Sequence, residues 1–225
     1  MHIEPGMVDA AKIGLSYATA GAALLVTLKV SYDNIKESNI VSFLVKATLS
    51  TLLVFTFFEI FPHFAVGVSE VHLILGSTLF LLFGLAPASI GLALGLLVQG
   101  VFFAPFDLAQ YGMNVTSLLV PLMGISYLAC KVIPKDIAYT DLNYTDVLKL
   151  STAYQAGIVT WVAFWAFYGQ GFGAENVASV LSFGGAYMLV ILIEPLADLA
   201  ILAFAKFTKD TFSTSSFVNK RLYNT

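Results

Sequence analysis

The chain has 225 residues, of which 58% are hydrophobic and 11% charged, and its mean hydropathy is +0.85. A soluble domain carries about 25% charged residues, so this composition excludes a soluble globular protein. The net charge of −3 excludes a nucleic-acid-binding protein with a basic surface, and the single cysteine, Cys130, excludes an internal disulfide.

Apolar stretches long enough to cross a bilayer recur along the chain. A spanning helix needs about 20 mostly apolar residues, because each residue rises about 1.5 Å through about 30 Å of hydrocarbon. The stretches that meet this requirement are Ala10–Lys29, Ile40–Pro62, Ser69–Gly84, Ala86–Ala104, Met113–Cys130, Val147–Tyr168 and Val177–Ala205. The sequence therefore predicts an all-α integral membrane protein, one domain over residues 1–225 with a bundle of about seven transmembrane helices.

The basic residues predict how the bundle is oriented, because cytoplasmic loops retain lysine and arginine. They fall in alternate connections and in the tail: Lys29, Lys36, Lys131, Lys135, Lys149, Lys206, Lys209, Lys220 and Arg221. The opposite loops, near residues 63–68, 105–112 and 169–176, contain no basic residue, and Lys12 alone lies on their side. We expect the N-terminus outside and the C-terminus, with a tail at residues 206–225, in the cytoplasm.

The first two residues supply the nitrogen atoms of a metal chelate. No basic region precedes the first apolar stretch, so we expect no cleaved signal peptide and a mature chain that starts at Met1. The Met1 amine, the His2 amide nitrogen and the His2 imidazole Nδ1 can then close adjacent rings around one ion. Planar nitrogen ligands suit Ni(II) or Cu(II), and low-spin Co(II) is also compatible. Residues 1–9 are thus predicted to be a metal-chelating segment.

The other histidines are candidates for the fourth nitrogen. The chain has 3 histidines, and the predicted topology places all of them at the outer side. His72 lies inside an apolar stretch, where an ionisable group is costly, so we prefer it to His63, which is a candidate extra ligand. Glu4 is a candidate acceptor for an imidazole N–H. The plainer interpretation is a frayed terminus at His2 and ordinary polar residues at the other two positions.

Further polar and small residues suggest supporting roles. Gln99 and Asn114 are expected to form hydrogen bonds in the bundle centre, where they would hold the N-terminal segment in place. Gly14, Ala18 and Ala22 repeat at four-residue spacing, which allows close approach of a partner helix or of another helix of the bundle. The chain has no GxxxxGK[ST] phosphate loop, so ATP hydrolysis would need a separate chain, and we predict that the protein is not an enzyme.

Two acidic residues in the last stretch support a different function. Glu194 and Asp198 lie on one helical face, and an acid at mid-bilayer costs about 2.5–3.5 kcal/mol. A proton path through them would make the protein a proton-coupled secondary transporter of a metal or small solute. Alternatively, Pro195 kinks the helix and the acids pair internally or face a partner. A non-transport structural or sensory membrane protein is the third hypothesis.

Several short motifs resemble one known family. They are Met1-His2-Ile3 with Gly6, Ser69-Glu70-Val71-His72-Leu73 with Gly76, Leu96-Leu97-Val98-Gln99-Gly100, and Gly112-Met113-Asn114. They resemble the membrane-embedded substrate-binding component of energy-coupling-factor transporters for nickel and cobalt, the CbiM/NikM type. The resemblance extends over most of residues 1–130 and more loosely to about residue 205. Family members typically begin Met-His-Ile-x-acid-Gly, whereas Glu4 and Pro5 stand in swapped order here.

The resemblance implies a seven-helix bundle in a prokaryotic cytoplasmic membrane, with the N-terminal segment tucked in from outside. It implies that the terminal amine, the amide and imidazole nitrogens of His2 and a later histidine, here His72, bind Ni(II) or Co(II) in a plane. Ser69 resembles a loop residue beside that ligand. The metal would be the transported substrate, with no organic cofactor. The implied partners are a coupling transmembrane subunit and cytoplasmic ATPase subunits, which would make the protein the substrate-capturing component of an ATP-driven importer.

Overall fold

Helices make up most of the computed structural model, which describes residues 2–134, 136–209 and 217–223. The helices are α1 (Gly14–Glu37), α2 (Ile40–Phe55), α3 (Gly76–Phe83), α4 (Leu85–Phe102), α5 (Tyr111–Val132), α6 (Tyr144–Gln170), α7 (Ala174–Met188) and α8 (Glu194–Phe207), and the strands are β1 (Phe64–Val66) and β2 (Ser69–Val71). A π-helical turn, Thr56–Ile60, extends α2, and 3-10 turns lie at Pro105–Gln110, Tyr139–Asp141, Leu189–Leu192 and Lys220–Leu222.

The exterior of the bundle is apolar, as a lipid-facing surface requires. Five segments of the described chain are long and apolar enough to cross a membrane: Gly14–Glu37, Ile40–Ile60, Leu85–Phe102, Pro105–Val132 and Ala174–Phe207. Large apolar side chains such as Leu25, Phe102 and Phe207 stand exposed on them. Because water would oppose so much exposed apolar surface, the fold is that of an all-α membrane protein.

The third predicted span, Ser69–Gly84, crosses the bundle but is not one continuous helix. It folds as strand β2, an extended segment and helix α3, whose 8 residues rise about 12 Å, so the extended residues supply part of the path. At the far end of this path, the Leu82 carbonyl oxygen accepts a hydrogen bond from the Asn219 N–H at 2.6 Å. Leu75 adopts a left-handed conformation, with φ 54°, where the extended segment turns into α3. Nearly every residue of α3 is buried within the bundle, so its apolar character reflects contact with protein rather than lipid.

Small residues let α2 and α4 pack closely along their length. Gly91 faces Ser50, and Gly95 faces Val54, where a Cβ atom built on Gly95 would lie 2.6 Å from the valine Cγ1. Close backbone approach of this kind stabilises helix pairs in membranes. The pair holds together the two helix ends that flank the site described below.

The connections without basic residues gather at one end of the bundle with the N-terminal segment, here called the outer end. There the Gln170 amide donates to the carbonyl oxygens of Gly6 and Met7, at 3.1 and 2.9 Å. At the opposite end Lys220 Nζ donates to the Glu37 carbonyl oxygen at 2.9 Å. The two ends therefore differ in basic residues as the sequence predicts, and the assignment of the lysine-rich end to the cytoplasm stays a prediction.

Lys12, the basic residue on the other side, has a local reason to lie at the outer end. Its ammonium group donates to the carbonyl oxygens of Tyr168 and Gly169, at 3.1 and 3.0 Å. These carbonyls belong to the last turn of α6, where a cation is favoured by unpaired backbone oxygens and by the helix dipole. Lys12 thus stabilises a helix end.

Candidate metal site

The N-terminal segment enters the outer end as a third strand beside the β1–β2 hairpin. The hairpin pairs Val66 with Ser69 around a two-residue loop, and Gly67 supplies its positive φ of 61°. On the other side of β2, Glu70 N–H donates to the His2 carbonyl oxygen at 3.1 Å, and Ile3 lies opposite Ser69 in a single antiparallel bridge. This pairing places His2 against the hairpin.

The strand also brings Glu70 and His72 to one side, because residues two apart in an extended chain share a face. His2 Nδ1 lies 2.7 Å from Glu70 Oε2, and His72 Nε2 lies 2.9 Å from the same oxygen. The ligand atoms of these three residues all lie within 4.8 Å of one another, a spacing that can hold a metal ion. Two imidazole nitrogens therefore converge on one carboxylate oxygen.

Burial sets the charge state of this cluster. His2 is 5% exposed and His72 is 1% exposed. Burial lowers the pKa of His72 to about 3 and also lowers the pKa of His2, because the charged imidazolium loses its hydration. Burial opposes ionisation of Glu70, but hydrogen bonds with both imidazoles hold its pKa well below the usual range. At neutral pH the cluster therefore has two neutral imidazoles and a carboxylate, the forms that bind metals.

Two of the predicted supporting residues contact the N-terminal segment. Asn114 Oδ1, from α5, accepts a hydrogen bond from the Ile3 N–H at 2.9 Å. Ser69 Oγ donates to the His2 carbonyl oxygen at 2.9 Å. Gln99 instead directs its amide nitrogen to the end of α2, 3.3 Å from Glu59 Oε2.

Glu4 was predicted to accept a hydrogen bond from an imidazole N–H, but two other acids lie beside the imidazoles instead. Among the described residues, the carboxylates within 4 Å of an imidazole nitrogen of His2 or His72 are those of Glu70 and Asp107. Glu4 contacts the hairpin through its backbone N–H, which donates to the Val68 carbonyl oxygen at 3.1 Å. Burial and the charge of Glu70 raise the pKa of the Glu4 carboxyl.

His63 lies beside the cluster and is exposed. Its ring stacks on that of His72, with centroids 4.9 Å apart and an angle of 13° between planes. Phe58 also contacts the His72 ring, at 4.9 Å between centroids. The position of the His72 ring is therefore fixed by packing as well as by Glu70.

Glu70 and Asp107 lie beside His2, although the sequence pattern predicts no role for either acid. Glu70 stands two residues before His72, and this spacing in a strand was the available signal. Asp107 is the acid in the 105–110 turn, and its Oδ2 lies 3.8 Å from His2 Nδ1. It lines a small cavity together with His2 and residues of α4 and α5. Both acids make the surroundings of His2 attractive to a cation.

Gly14, Ala18 and Ala22 are exposed on α1. The buried face of α1 consists instead of Ser16, Ala23, Thr27 and Ser31. The small-residue face is therefore exposed at the surface of the bundle rather than packed within it.

Glu194 and Asp198 form a second, separate cluster in the bundle interior, where they are 0% and 1% exposed. Ser151 Oγ donates to Glu194 Oε2 at 3.0 Å, and Ser77 Oγ donates to Asp198 Oδ2 at 2.8 Å. Gln155 and Thr78 add hydrogen bonds to the two acids. Pro195 stands in the first turn of α8, where its missing N–H is tolerated and the last predicted span is broken. Neutral groups of α3 and α6 thus satisfy both acids.

Comparisons with known proteins identify a matching family and solved structures of the same fold. The family model described as CbiM, cobalt uptake substrate-specific transmembrane region, matches residues 2–211. A solved structure described as a transition metal transporter superposes with a TM-score of 0.70 at 17% identity, covering 95% of this chain and 98% of that chain. A structure described as a truncated transition metal transporter gives 0.62 at 19% identity, covering 94% and 99%. No curated protein matches the sequence.

Proposed function

The chain belongs to the CbiM family, the cobalt uptake substrate-specific transmembrane regions, and on this basis we propose that it captures Ni(II) or Co(II) for an ATP-driven importer. As a metal transporter component of this family it is a multi-pass membrane protein and not an enzyme. The finer parts of the proposal are the ligand set, the choice of metal and the source of energy.

The observation that carries the proposal is the convergence of His2 Nδ1 and His72 Nε2 on one point, each within 3 Å of the same Glu70 oxygen. Nδ1 is the His2 atom that a terminal chelate requires. The proposed ligands are the Met1 amine, the His2 amide nitrogen, His2 Nδ1 and His72 Nε2, of which Met1 lies outside the described residues. Asn114 and the hairpin support the set by holding the backbone of the segment.

Nitrogen ligands decide the class of metal. Imidazole, amine and amide nitrogens bind Ni(II), Co(II) and Cu(II), whereas Mg(II) and Ca(II) require oxygen ligands. Among metals that suit this ligand set, nickel and cobalt are favoured by membership of a cobalt uptake family.

The proposed source of energy is a separate ATPase, reached through a coupling transmembrane subunit. The exposed small-residue face of α1, at Gly14, Ala18 and Ala22, allows a partner helix to approach closely. Large exposed side chains such as Leu25 continue the same helix and would contact that partner or lipid. We propose this face as the contact with the coupling subunit.

The rival function, proton-coupled secondary transport, depends on Glu194 and Asp198. The hydrogen bonds from Ser151 and Ser77 favour acids that are satisfied within the bundle. A structural role between α3, α6 and α8 accounts for these contacts.

Metal binding by the purified chain tests the proposal. The wild-type protein should bind Ni(II) or Co(II) stoichiometrically by calorimetry, and both acetylation of the terminal amine and His72→Ala should weaken binding at least tenfold. Cys130→Ser, at an exposed position in the last turn of α5, is the control and should leave affinity unchanged. Unchanged affinity after acetylation would contradict the terminal chelate, and a wild-type chain that binds none of these metals would contradict the function.

A further inference from the structure

We propose that Glu194 and Asp198 form a second cation site, inside the bundle, which binds Na+ through oxygen atoms alone. Gln155, whose side chain contacts Glu194, lies about 22 Å along α6 from the outer end of that helix at Gln170. The site is therefore separate from the cluster at the outer end, and the inference goes beyond the proposed capture of Ni(II) or Co(II).

The two carboxylates bring negative charge into the bundle without a basic partner. Glu194 is 0% exposed and Asp198 is 1% exposed. None of the ion pairs within the described part of the chain includes either acid. The hydroxyl and amide groups around them are neutral, so their hydrogen bonds hold the acids in position but do not balance the charge. Because uncompensated buried charge is strongly unfavourable, a bound cation would stabilise this pair.

Ser77 lies between the two acids but has only one hydrogen to donate. Its Oγ donates that hydrogen to Asp198 Oδ2 at 2.8 Å, and Glu194 Oε1 lies 3.5 Å from the same Oγ. Oxygen ligands lie about 2.3–2.6 Å from Ca(II), and Na+ has nearly the same radius, so neighbouring ligands at a right angle lie about 3.3–3.7 Å apart. The longer contact therefore has the length expected of two neighbouring ligands of such an ion.

Two more oxygen atoms beside the acids have no hydrogen-bond partner among the described residues. The Gln155 amide nitrogen donates to Glu194, whereas its Oε1 is unpaired, and the residue is 0% exposed. The Tyr154 hydroxyl is also unpaired and buried, and a Cβ atom built on Gly76, the residue before Ser77, would lie 2.6 Å from it. One proton held by the acids would satisfy only one such oxygen, whereas a cation accepts lone pairs from several at once.

Two interrupted segments of the bundle meet at these acids. The apolar segment Ala174–Phe207 is broken by the 3-10 turn Leu189–Leu192, which ends one residue before α8. Helix α3 begins only after an extended chain, where Leu75 has its positive φ. Interrupted helices offer free backbone carbonyl oxygens inside a membrane, and transporters use such helix ends to bind Na+. The backbone around the acids is therefore of the kind that holds a cation.

The burial of the ligands selects the charge of the ion. An ion that enters this site loses most of its water, and the Born cost of that loss rises with the square of the charge. Mg(II) dehydrates reluctantly and usually keeps several waters. Carboxylate, hydroxyl and amide oxygens suit hard cations, whereas imidazole suits Ni(II). Na+ is therefore the ion that fits this site.

The test measures Na+ binding to the full-length chain, solubilised in detergent with no transition metal added. Equilibrium dialysis with radioactive Na+ should show stoichiometric binding to wild type. Glu194→Gln should abolish this binding, and Gln155→Leu, which keeps both acids, should weaken it at least tenfold. The melting temperature of wild type should be higher in sodium chloride than in choline chloride at equal ionic strength, because a ligand of the folded state stabilises it.

Glu175→Gln is the matched control, because Glu175 stands in the first turn of α7 as Glu194 stands in that of α8, but is exposed. It should leave Na+ binding unchanged. Absence of Na+ binding in wild type, equal melting temperatures in the two salts, or unchanged binding in Glu194→Gln would each overturn the cation site. Binding of Ca(II), added as calcium chloride, in place of Na+ would overturn the choice of a monovalent ion. These outcomes are independent of Ni(II) or Co(II) binding at the outer end.

Discussion

Replacing Asn114 with alanine should weaken metal binding although the side chain is not a proposed ligand. Ile3 and Ser69 face each other as a non-hydrogen-bonded pair, because the flanking bonds run from Glu4 N–H to Val68 and from Glu70 N–H to His2. The Ile3 N–H therefore points away from the hairpin, and Asn114 Oδ1 accepts it at 2.9 Å.

The magnitude follows from what the substitution leaves behind. Ile3 is 0% exposed, so Asn114→Ala leaves a buried N–H without its acceptor, at a cost of about 1–3 kcal/mol. Undocking of the segment separates His2 from His72, and the same free energy corresponds to a loss of about 5- to 150-fold in affinity.

Ser69→Ala is the matched comparison, because it also removes one hydrogen bond to the segment. Ser69 Oγ donates to the His2 carbonyl oxygen, but that oxygen still accepts from Glu70 N–H at 3.1 Å. The expected cost is about 0.5–1 kcal/mol, or about 2- to 5-fold in affinity. Calorimetric titration of Ni(II) into both purified variants gives the comparison. A larger loss for Ser69→Ala than for Asn114→Ala would refute the reasoning.

Three further predictions follow from other parts of the structure. The metal-free protein should lose stability as the pH falls from about 6.5 toward 3, because a histidine of the unfolded chain binds a proton near pH 6.5 and buried His72 only near pH 3. The melting temperature of wild type should therefore fall more steeply with pH in this range than that of His72→Gln. Equal pH dependence of the two melting temperatures would contradict the lowered pKa of His72. Glu194→Gln combined with Asp198→Asn should leave stoichiometric Ni(II) binding intact, since these acids are bonded to Ser151 and Ser77 away from the site; loss of binding at unchanged melting temperature would contradict this separation. Ala18→Leu should abolish cellular metal uptake by blocking helix contact at an exposed position, yet leave binding by the isolated chain unchanged; normal uptake would exclude this face as the contact.

The sequence alone was enough to predict some of the candidate ligands. The chelating order of Met1 and His2 is a local property, because the atoms lie on adjacent residues, and His72 was marked by its cost in an apolar stretch. The positions of Glu70 and Asp107 could not be predicted from the sequence. Glu70 contacts His2 across 68 residues, and Asp107 reaches His2 only because of where the turn before α5 lies.

Composition and hydropathy by themselves determined that this chain is an all-α membrane protein and that its basic residues, except Lys12, gather at one end. Both follow from the cost of placing polar groups in hydrocarbon, which acts on every residue regardless of its neighbours. Only the tertiary structure decided that Ser69–Gly84 is not a single helix. It shows a strand that pairs with the N-terminus and a short helix buried in protein, and an apolar run alone does not distinguish protein from lipid. The same strand pairing brings His2, Glu70 and His72 together, because register is fixed by hydrogen bonds between distant segments.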